Sequence, residues 1–310
     1  MGVLGLLLLL PCAVPSPPDL LNPVSDIMVA GNSLGEVMVW TSDFTERYNV
    51  ALANYNSSFQ GTNQRAPARG AGTATVGDRA FLIGGGDSGT PFGTVAMWDM
   101  SATSSDAFAL LAPLPTPRSE LGAAAIGSVL YAVGGFGGSW NELECADSAA
   151  ATLAWEKGAG LPTPRYGLVA EAVGGTLYTF GGNAWHDPNS VHVEAFTPTV
   201  GGSSCGDGMW ATKASIPLGV SFPATTVVGT DIYIMGGDLT SGTTSSLQSA
   251  IVQIYHTATD TWSNGTAILA PARSHFSAVY ISSTILAFGG TTGTGNFQHD
   301  LAKGEVIAQN

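Results

Sequence analysis

Short apolar runs that end in glycine recur through most of the chain. The runs AFLIGGG, LYAVGG, LYTFGG, IYIMGG and ILAFGG are rich in β-branched and aromatic residues, and turn residues bound each of them. Runs of this length and composition predict buried β-strands. Their ends mark five glycine pairs, spaced by 49, 47, 55 and 53 residues: Gly85–Gly86, Gly134–Gly135, Gly181–Gly182, Gly236–Gly237 and Gly289–Gly290.

A second feature keeps a constant distance from the glycine pairs. Sixteen residues before the first glycine of each pair stand Arg69, Arg118, Arg165, Val220 and Arg273. A constant interval inside a variable period indicates a rigid repeating unit, because the loops between units absorb the differences in length.

Each unit offers four candidate strands. An apolar segment such as GLVAEAV (residues 167–173) precedes the glycine-ended run, and an alternating segment such as TVAMWDM (residues 94–100) follows it. Most units then add a short segment with an aromatic residue: Phe108, Trp155, Trp210 and Trp262. Four strands in about 50 residues are typical of one β-propeller blade, which needs neighbours to cover both faces of its sheet. We therefore predict an all-β fold.

The pattern resembles the kelch repeat family. PLPTPRSELGAAAIGSVLYAVGG (residues 113–135), followed by Trp155, carries it best, and the resemblance extends from about Ala66 to Gly290 with a departure at Val220. It implies a kelch-type β-propeller of the galactose oxidase superfamily, which we expect to have six blades of four antiparallel strands. In that fold the glycine pair ends the second strand where neighbouring blades crowd together. The expected units are 20–65, 66–114, 115–161, 162–216, 217–270 and 271–310, after a separate segment 1–19.

Segment 1–19 is a candidate signal peptide or disordered leader. Its apolar stretch from Val3 to Leu10 is too short to span a bilayer and has the length of a signal-peptide core, although no Lys or Arg precedes it. Two Asn-X-Ser/Thr sequons, at Asn56 and Asn264, suit a secreted glycoprotein. We expect a secreted or extracytoplasmic protein, with a cytoplasmic protein as the alternative.

Charge and residue spacing exclude several classes of function. The 310 residues include 23 acidic and 10 basic side chains, a net charge of −13, so the surface repels nucleic acid phosphates. No Cys/His spacing suggests a metal site, and no Ser-His-Asp ordering, phosphate loop or HExxH motif is present. Cys145 and Cys205 are either one disulfide or two buried thiols. We expect no cofactor, no nucleic acid partner and no membrane span.

The resemblance also implies a binding site. In kelch propellers the loop before the first strand and the residues after Gly-Gly gather at one mouth of the central channel. A ring of guanidinium groups beside aromatic residues binds carboxylates or an acidic loop. Alternatively, the arginines belong to the repeat itself and brace adjacent blades through backbone carbonyls. The candidate binding residues are Arg69, Arg118, Arg165, Arg273, Tyr166, Asn183, Trp185, His186, Asp238 and His275, with Asp87, Phe136 and Trp140 nearby.

Two functions compete, and a structural piece of a larger protein is a third hypothesis. The first is a non-catalytic interaction module that binds a protein or glycan at the mouth, because no catalytic set stands out. The second is an extracytoplasmic carbohydrate-active enzyme. Galactose oxidases need a crosslinked Cys and His ligands, whereas RAPARGAGTATVG (residues 65–77) has no Cys and the five histidines form no ligand pair. Kelch-type sialic-acid epimerases need acid–base residues near an arginine, and Glu120 and Glu171 are candidates for that role.

Overall fold

A computed structural model describes residues 28–31, 36–40, 45–49, 54–56, 69–87, 89–102, 108–185, 187, 190–239, 247–268 and 271–292. Every regular element in these ranges is a β-strand, and none is a helix. The first thirteen strands are β1 (Met28–Gly31), β2 (Glu36–Trp40), β3 (Thr45–Asn49), β4 (Asn54–Asn56), β5 (Ala71–Val76), β6 (Arg79–Gly84), β7 (Gly86–Asp87), β8 (Thr90–Pro91), β9 (Val95–Asp99), β10 (Phe108–Leu110), β11 (Gly122–Ile126), β12 (Val129–Val133) and β13 (Leu143–Asp147). The remaining thirteen are β14 (Glu156–Lys157), β15 (Arg165–Tyr166), β16 (Val169–Val173), β17 (Thr176–Phe180), β18 (Asn183–Ala184), β19 (Val193–Pro198), β20 (Gly208–Thr212), β21 (Ala224–Val228), β22 (Asp231–Met235), β23 (Ile251–His256), β24 (Thr261–Ile268), β25 (Ser277–Ile281) and β26 (Thr284–Phe288).

Within the described ranges the strands form five four-stranded sheets and three two-stranded sheets, all antiparallel. The four-stranded sheets have the orders β1-β2-β3-β4, β5-β6-β9-β10, β11-β12-β13-β14, β16-β17-β19-β20 and β21-β22-β23-β24. The two-stranded sheets are β7-β8, β15-β18 and β25-β26. Each large sheet therefore comes from one continuous part of the chain.

The sheets are arranged as a ring. The first strands contact one another in the order β1, β5, β11, β16, β21 and β25, and β25 contacts β1 again. The sheets thus surround a central channel, which is the arrangement of a β-propeller. The predicted all-β fold and propeller arrangement are confirmed.

The hydrophobic core lies between neighbouring sheets. Phe81 and Ile83 of β6 pack with Leu130 of β12 in one cluster, whereas Tyr131 of β12 packs with Phe196 of β19 in the next. Successive residues of one strand therefore point into opposite interfaces. Because both faces of a sheet are buried, the middle strands are continuous apolar runs rather than alternating ones.

The glycine pairs join neighbouring sheets. The Gly135 amide donates to the Arg165 carbonyl at 3.0 Å, and the Gly182 amide donates to the Val220 carbonyl at 2.9 Å. Arg165 and Val220 each lead into the next sheet, and Val220 fits the repeat because this contact uses only its backbone. A Cβ atom on Gly134 would lie 2.7 Å from the Arg165 carbonyl oxygen, and Gly134 has a φ of 62°. Glycine is needed there for both close approach and backbone conformation.

The first glycine pair lies one residue earlier than predicted. Gly84 and Gly85 have φ values of 71° and 100°, close to the 62° and 100° of Gly134 and Gly135. The Gly85 amide donates to the Arg118 carbonyl at 2.9 Å, which is the contact that Gly135 makes in the following unit. The sequence GGG allowed either assignment, and the backbone selects the earlier one.

A disulfide joins Cys145 and Cys205, whose Cα atoms are 6.1 Å apart. Cys145 lies in β13 and Cys205 lies between β19 and β20, so the bridge connects two neighbouring sheets. Of the two alternatives for these cysteines, the disulfide is the one formed. Segment 1–19 lies outside the described residues, and within those residues no helix has the length and apolar character needed to cross a bilayer.

Candidate functional site

Arg118, predicted at the mouth, is buried inside its sheet. Its side chain has no exposed surface, and neither does that of its ion-pair partner Glu144, at 2.9 Å. The guanidinium group also donates to the carbonyls of Ala132 and Glu142, at 3.2 and 3.0 Å. Burial lowers the pKa of Arg118, and the charge of Glu144 opposes that shift.

Arg165 and Arg273 are placed in the same way. Arg165 is fully buried, pairs with the Glu194 carboxylate, and donates from Nε to the Gly181 carbonyl at 2.8 Å. Arg273 is 1% exposed and donates to the Gly289 carbonyl at 3.1 Å. These arginines therefore brace strands of their own sheets, and the predicted ring of ligand-binding guanidinium groups is not formed by them.

Arg69 differs from the other three arginines because it is exposed. Its carbonyl accepts from the Gly86 amide at 2.9 Å, just as the Ser119 carbonyl accepts from the Phe136 amide at 2.6 Å. Arg69 is therefore equivalent to Ser119, one residue after the buried arginine position. This one-residue shift places its side chain at the channel opening.

A chain of backbone hydrogen bonds lies at that end of the channel. The Gly167 amide donates to the Glu120 carbonyl at 2.8 Å, and the Phe222 amide donates to the Gly167 carbonyl at 2.8 Å. The His275 amide donates to the Phe222 carbonyl at 3.0 Å, and the Glu120 amide donates to the Gly70 carbonyl. Each residue lies one or two positions before the first strand of its sheet. The mouth ring is defined as Gly70, Glu120, Gly167, Phe222 and His275.

All five residues of the mouth ring have a left-handed backbone, with φ between 52° and 64°. Two are glycines, whereas Glu120, Phe222 and His275 carry side chains in a conformation that costs roughly 1–2 kcal/mol for such residues. Strained non-glycine residues of this kind cluster at ligand-binding sites. The mouth ring therefore positions three side chains at the opening at an energetic cost.

Aromatic rings form a continuous line beside the mouth ring. Phe222 and His275 stack with ring centroids 4.0 Å apart. Tyr166 lies 6.3 Å from Phe222 and 5.1 Å from Trp140. Trp185, which is 73% exposed, lies 5.8 Å from Trp140. Phe136 joins the line at 5.9 Å from Tyr166. The aromatic arc is defined as Phe136, Trp140, Tyr166, Trp185, Phe222 and His275.

Polar side chains accompany the aromatic arc. His275 Nδ1 lies 3.9 Å from the Asp238 carboxylate, which accepts a hydrogen bond from Gln248 Nε2 at 3.0 Å. Asn183 is buried and pairs with Tyr166 across the short β15–β18 ladder. The structure thus brings together five of the predicted site residues, and His186 lies outside the described residues. The five are Tyr166, Asn183, Trp185, Asp238 and His275.

Two cavities meet at this end of the molecule. One, of about 400 Å³, is lined by side chains that include Arg69, Asp87 and Glu120, together with the rings of Phe136 and Tyr166. The other is the central channel, of about 420 Å³, and its lining shares Arg69 and Glu120. Burial, with a further contribution from the charge of Glu120, raises the pKa of Tyr166, so its hydroxyl remains a neutral donor at pH 7.

Glu171 is a half-buried carboxylate in the channel wall, on β16. It has no hydrogen-bond or ion-pair partner among the residues that the structure describes. Removal from bulk water raises its pKa to about 8, so the carboxyl is largely protonated at neutral pH and can donate a hydrogen bond. The described residues contain no group of three His, Cys, Asp or Glu side chains arranged to hold a metal ion.

Phe222 is the site residue that the sequence reasoning missed. It replaces the polar residue found at the equivalent position of two other units, Glu120 and His275, and so gave no chemical signal. Its phase was informative, because each of these residues lies two positions after the arginine or valine that marks the repeat.

Comparison with known proteins supports the fold alone. No protein-family model matches the chain, and no curated protein matches its sequence. A solved structure titled "Structure of YjhT" superimposes with a TM-score of 0.70 at 14% identity, covering 90% of this chain and 94% of that one. At this identity the match shows that the two proteins share a β-propeller arrangement. It does not bear on activity.

Proposed function

We propose that this protein is a kelch-type propeller whose aromatic arc is a non-catalytic binding site for a carbohydrate. The observation that carries the proposal is the arc itself, which combines exposed ring faces with hydrogen-bonding side chains beside two cavities. Aromatic faces pack against the apolar C–H faces of sugar rings, and nearby carboxylate and amide groups bind sugar hydroxyls. Such a site suits a neutral ligand, because the protein carries a net charge of −13.

Six blades are the count that the first strands support. Each of β1, β5, β11, β16, β21 and β25 contacts its two neighbours, which gives six first strands around the channel. The repeated Pro-Arg and Gly-Gly positions support the kelch assignment, since the buried arginines and the glycine amides provide the same contacts in successive units.

We also propose that the protein is extracytoplasmic. The Cys145–Cys205 disulfide supports this location, because such bonds persist in oxidising compartments and are rare in the cytosol. The apolar segment Val3–Leu10 and the two sequons are consistent with export.

A glycan array followed by calorimetry with the best glycan tests the carbohydrate proposal. Replacing Trp185 with Ala removes a ring of the arc and should weaken binding at least 10-fold. The fold should be unaffected, because this ring is 73% exposed and supports little packing. The matched control is Met209→Ala, which removes a side chain that is 78% exposed on the outer strand β20. Equal affinity of wild type and Trp185→Ala, or no glycan ligand at all, would reject the proposal and direct attention to protein partners.

A carbohydrate-active enzyme is the second candidate, favoured by one specific observation. Glu171 offers a protonated carboxyl in the channel at neutral pH, and Glu120 offers a second carboxyl at the mouth. Such a pair can transfer protons to and from a bound sugar. Incubation of the bound glycan with wild type and Glu171→Gln, followed by NMR, tests this candidate. Conversion by wild type that Glu171→Gln abolishes would establish the enzyme.

A further inference from the structure

Three polar side chains on the sheet of β21 to β24, one exposed and two partly exposed, are linked in a row. Asp231 Oδ1 lies 3.0 Å from His256 Nδ1, and His256 Nε2 lies 2.8 Å from Ser263 Oγ. The sequence motifs gave no sign of this arrangement, because the three residues come from three different strands.

The strand register explains how these residues meet. Asp231 begins β22 and pairs directly with His256, the last residue of β23. His256 pairs in turn with Thr261 of β24, and Ser263 lies two residues further along that strand, on the same face. Mouth-ring residue Phe222 precedes β21, and β22 begins at the opposite end of the sheet. The row is therefore separate from the proposed carbohydrate site.

We propose that Ser263, His256 and Asp231 form a nucleophilic relay that hydrolyses small, activated carboxylic esters. The order of contacts assigns each role: the serine hydroxyl is bonded to one imidazole nitrogen, and the carboxylate faces the other. His256 and Asp231 are 33% and 37% exposed at the side chain, and Ser263 is exposed. Water can supply the hydrogen bonds of side chains this exposed, so the stability of the fold does not depend on contacts among the three residues.

The chemistry balances without a cofactor. Ser263 Oγ attacks the ester carbonyl carbon while His256 Nε2 takes the hydroxyl proton, and Asp231 holds the imidazole in orientation and stabilises its charge. The C–O bond to the leaving alcohol breaks, and the imidazolium returns the proton to the alcohol oxygen. Water, deprotonated by His256, then hydrolyses the acyl-serine and regenerates the relay.

The open position of the row determines its substrate class. Ser263 is exposed and lies on β24, the outermost strand of its sheet, so an ester can approach its hydroxyl from solvent. An exposed strand edge accommodates a small acyl group without selecting a large one. Activated esters of short acids, such as p-nitrophenyl acetate, are therefore the expected substrates.

Labelling with a fluorophosphonate probe, followed by peptide mapping, tests the relay. The protein is produced in a bacterial periplasm, where the disulfide forms and Asn264 receives no N-linked glycan. Ser263 should be labelled at least 10-fold faster than Ser101, an exposed serine that bonds the Asp99 carboxylate at 2.6 Å without a histidine. Ser263→Ala should remove that label, and His256→Gln should slow it at least 10-fold.

Hydrolysis of p-nitrophenyl acetate provides the second measurement. Wild type should release p-nitrophenol with an initial burst, and Asp231→Asn should slow the reaction while circular dichroism and melting remain as in wild type. Labelling of Ser263 no faster than Ser101, or unchanged labelling and hydrolysis in a folded His256→Gln variant, would overturn the proposal.

Discussion

His275 stacks on Phe222 with ring centroids 4.0 Å apart and an interplanar angle of 16°. The two residues precede the first strands of neighbouring sheets, and the His275 amide donates to the Phe222 carbonyl. Backbone and side chain thus make the same sheet-to-sheet contact. This pairing fixes one end of the aromatic arc, which gives a ligand a preformed surface rather than a set of mobile rings.

Loss of Arg118 should destabilise the fold. Arg118→Met leaves the buried Glu144 carboxylate without its charged partner, and breaking such a pair costs about 3–5 kcal/mol of unfolding free energy. Urea unfolding measures this loss. The double variant Arg118→Met/Glu144→Leu should recover much of it, because an apolar pair carries no stranded charge. Unchanged stability together with lost glycan binding would instead assign Arg118 to the site.

Gly134→Val should destabilise the protein more than a glycine replacement without crowding. The valine would face both a left-handed backbone and a Cβ position 2.7 Å from the Arg165 carbonyl oxygen. Gly127→Ala is the matched control, since its φ is 60° but no atom lies within 4 Å of the added carbon. We expect a loss of about 1–2 kcal/mol for the control and several kcal/mol for Gly134→Val. Equal losses in the two variants would show that close approach of the sheets is unimportant.

Glu171 should make stability depend on pH. Its folded pKa is about 8, above the value of about 4.3 expected when unfolded, so the folded state binds the proton more tightly. The free energy of unfolding should therefore fall as pH rises between these values, by at most about 1.4 kcal/mol per pH unit. Urea unfolding at pH 5, 6.5 and 8 measures the slope. Glu171→Gln should remove this component, and an identical slope in both proteins would refute the raised pKa.

Removal of the disulfide should lower stability without abolishing the fold. The two cysteines are 60 residues apart, and closing a loop of that length contributes about 4 kcal/mol in the chain-entropy treatment. Comparison of Cys145→Ser/Cys205→Ser with wild type by urea unfolding measures the contribution. Wild type should also resist thiol alkylation at both positions when unfolded without a reductant. Alkylation of either cysteine would show that the bridge is absent.

The regular spacing of the sequence was sufficient to predict the all-β fold and the propeller arrangement of its sheets. Glycine pairs and apolar runs repeat because each sheet has the same neighbours, so local pattern and global position agree. The burial of Arg118 and Arg165 in ion pairs was not predictable from this pattern. Glu144 and Glu194 form ion pairs with Arg118 and Arg165. They lie on the third strands of their sheets, and their distances in sequence from the arginines differ, so no repeat pattern marks them.

The candidate site was predicted in part for a similar reason. Tyr166, Trp185 and His275 lie within three residues of the repeated arginine or glycine positions. Their position in the repeat therefore predicted that they share one end of the channel. The one-residue shift of Arg69 required backbone geometry, because GGG is ambiguous in sequence. Phe222 lies at the same repeat position as Glu120 and His275, but its apolar side chain gave no chemical signal. The row of Asp231, His256 and Ser263 depended on the register of three strands, which residue order alone does not specify.

The most direct test of carbohydrate binding at the aromatic arc is the NMR spectrum of the tryptophan indole N–H groups during titration with the best glycan. Trp140 and Trp185 lie in the arc, whereas the indoles of Trp155, Trp210 and Trp262 are bonded to backbone carbonyls elsewhere. We expect the Trp140 and Trp185 signals to shift with saturation while those of Trp155, Trp210 and Trp262 remain in place. Binding that leaves both arc signals unmoved, or that shifts only the other three, would contradict carbohydrate binding at the arc.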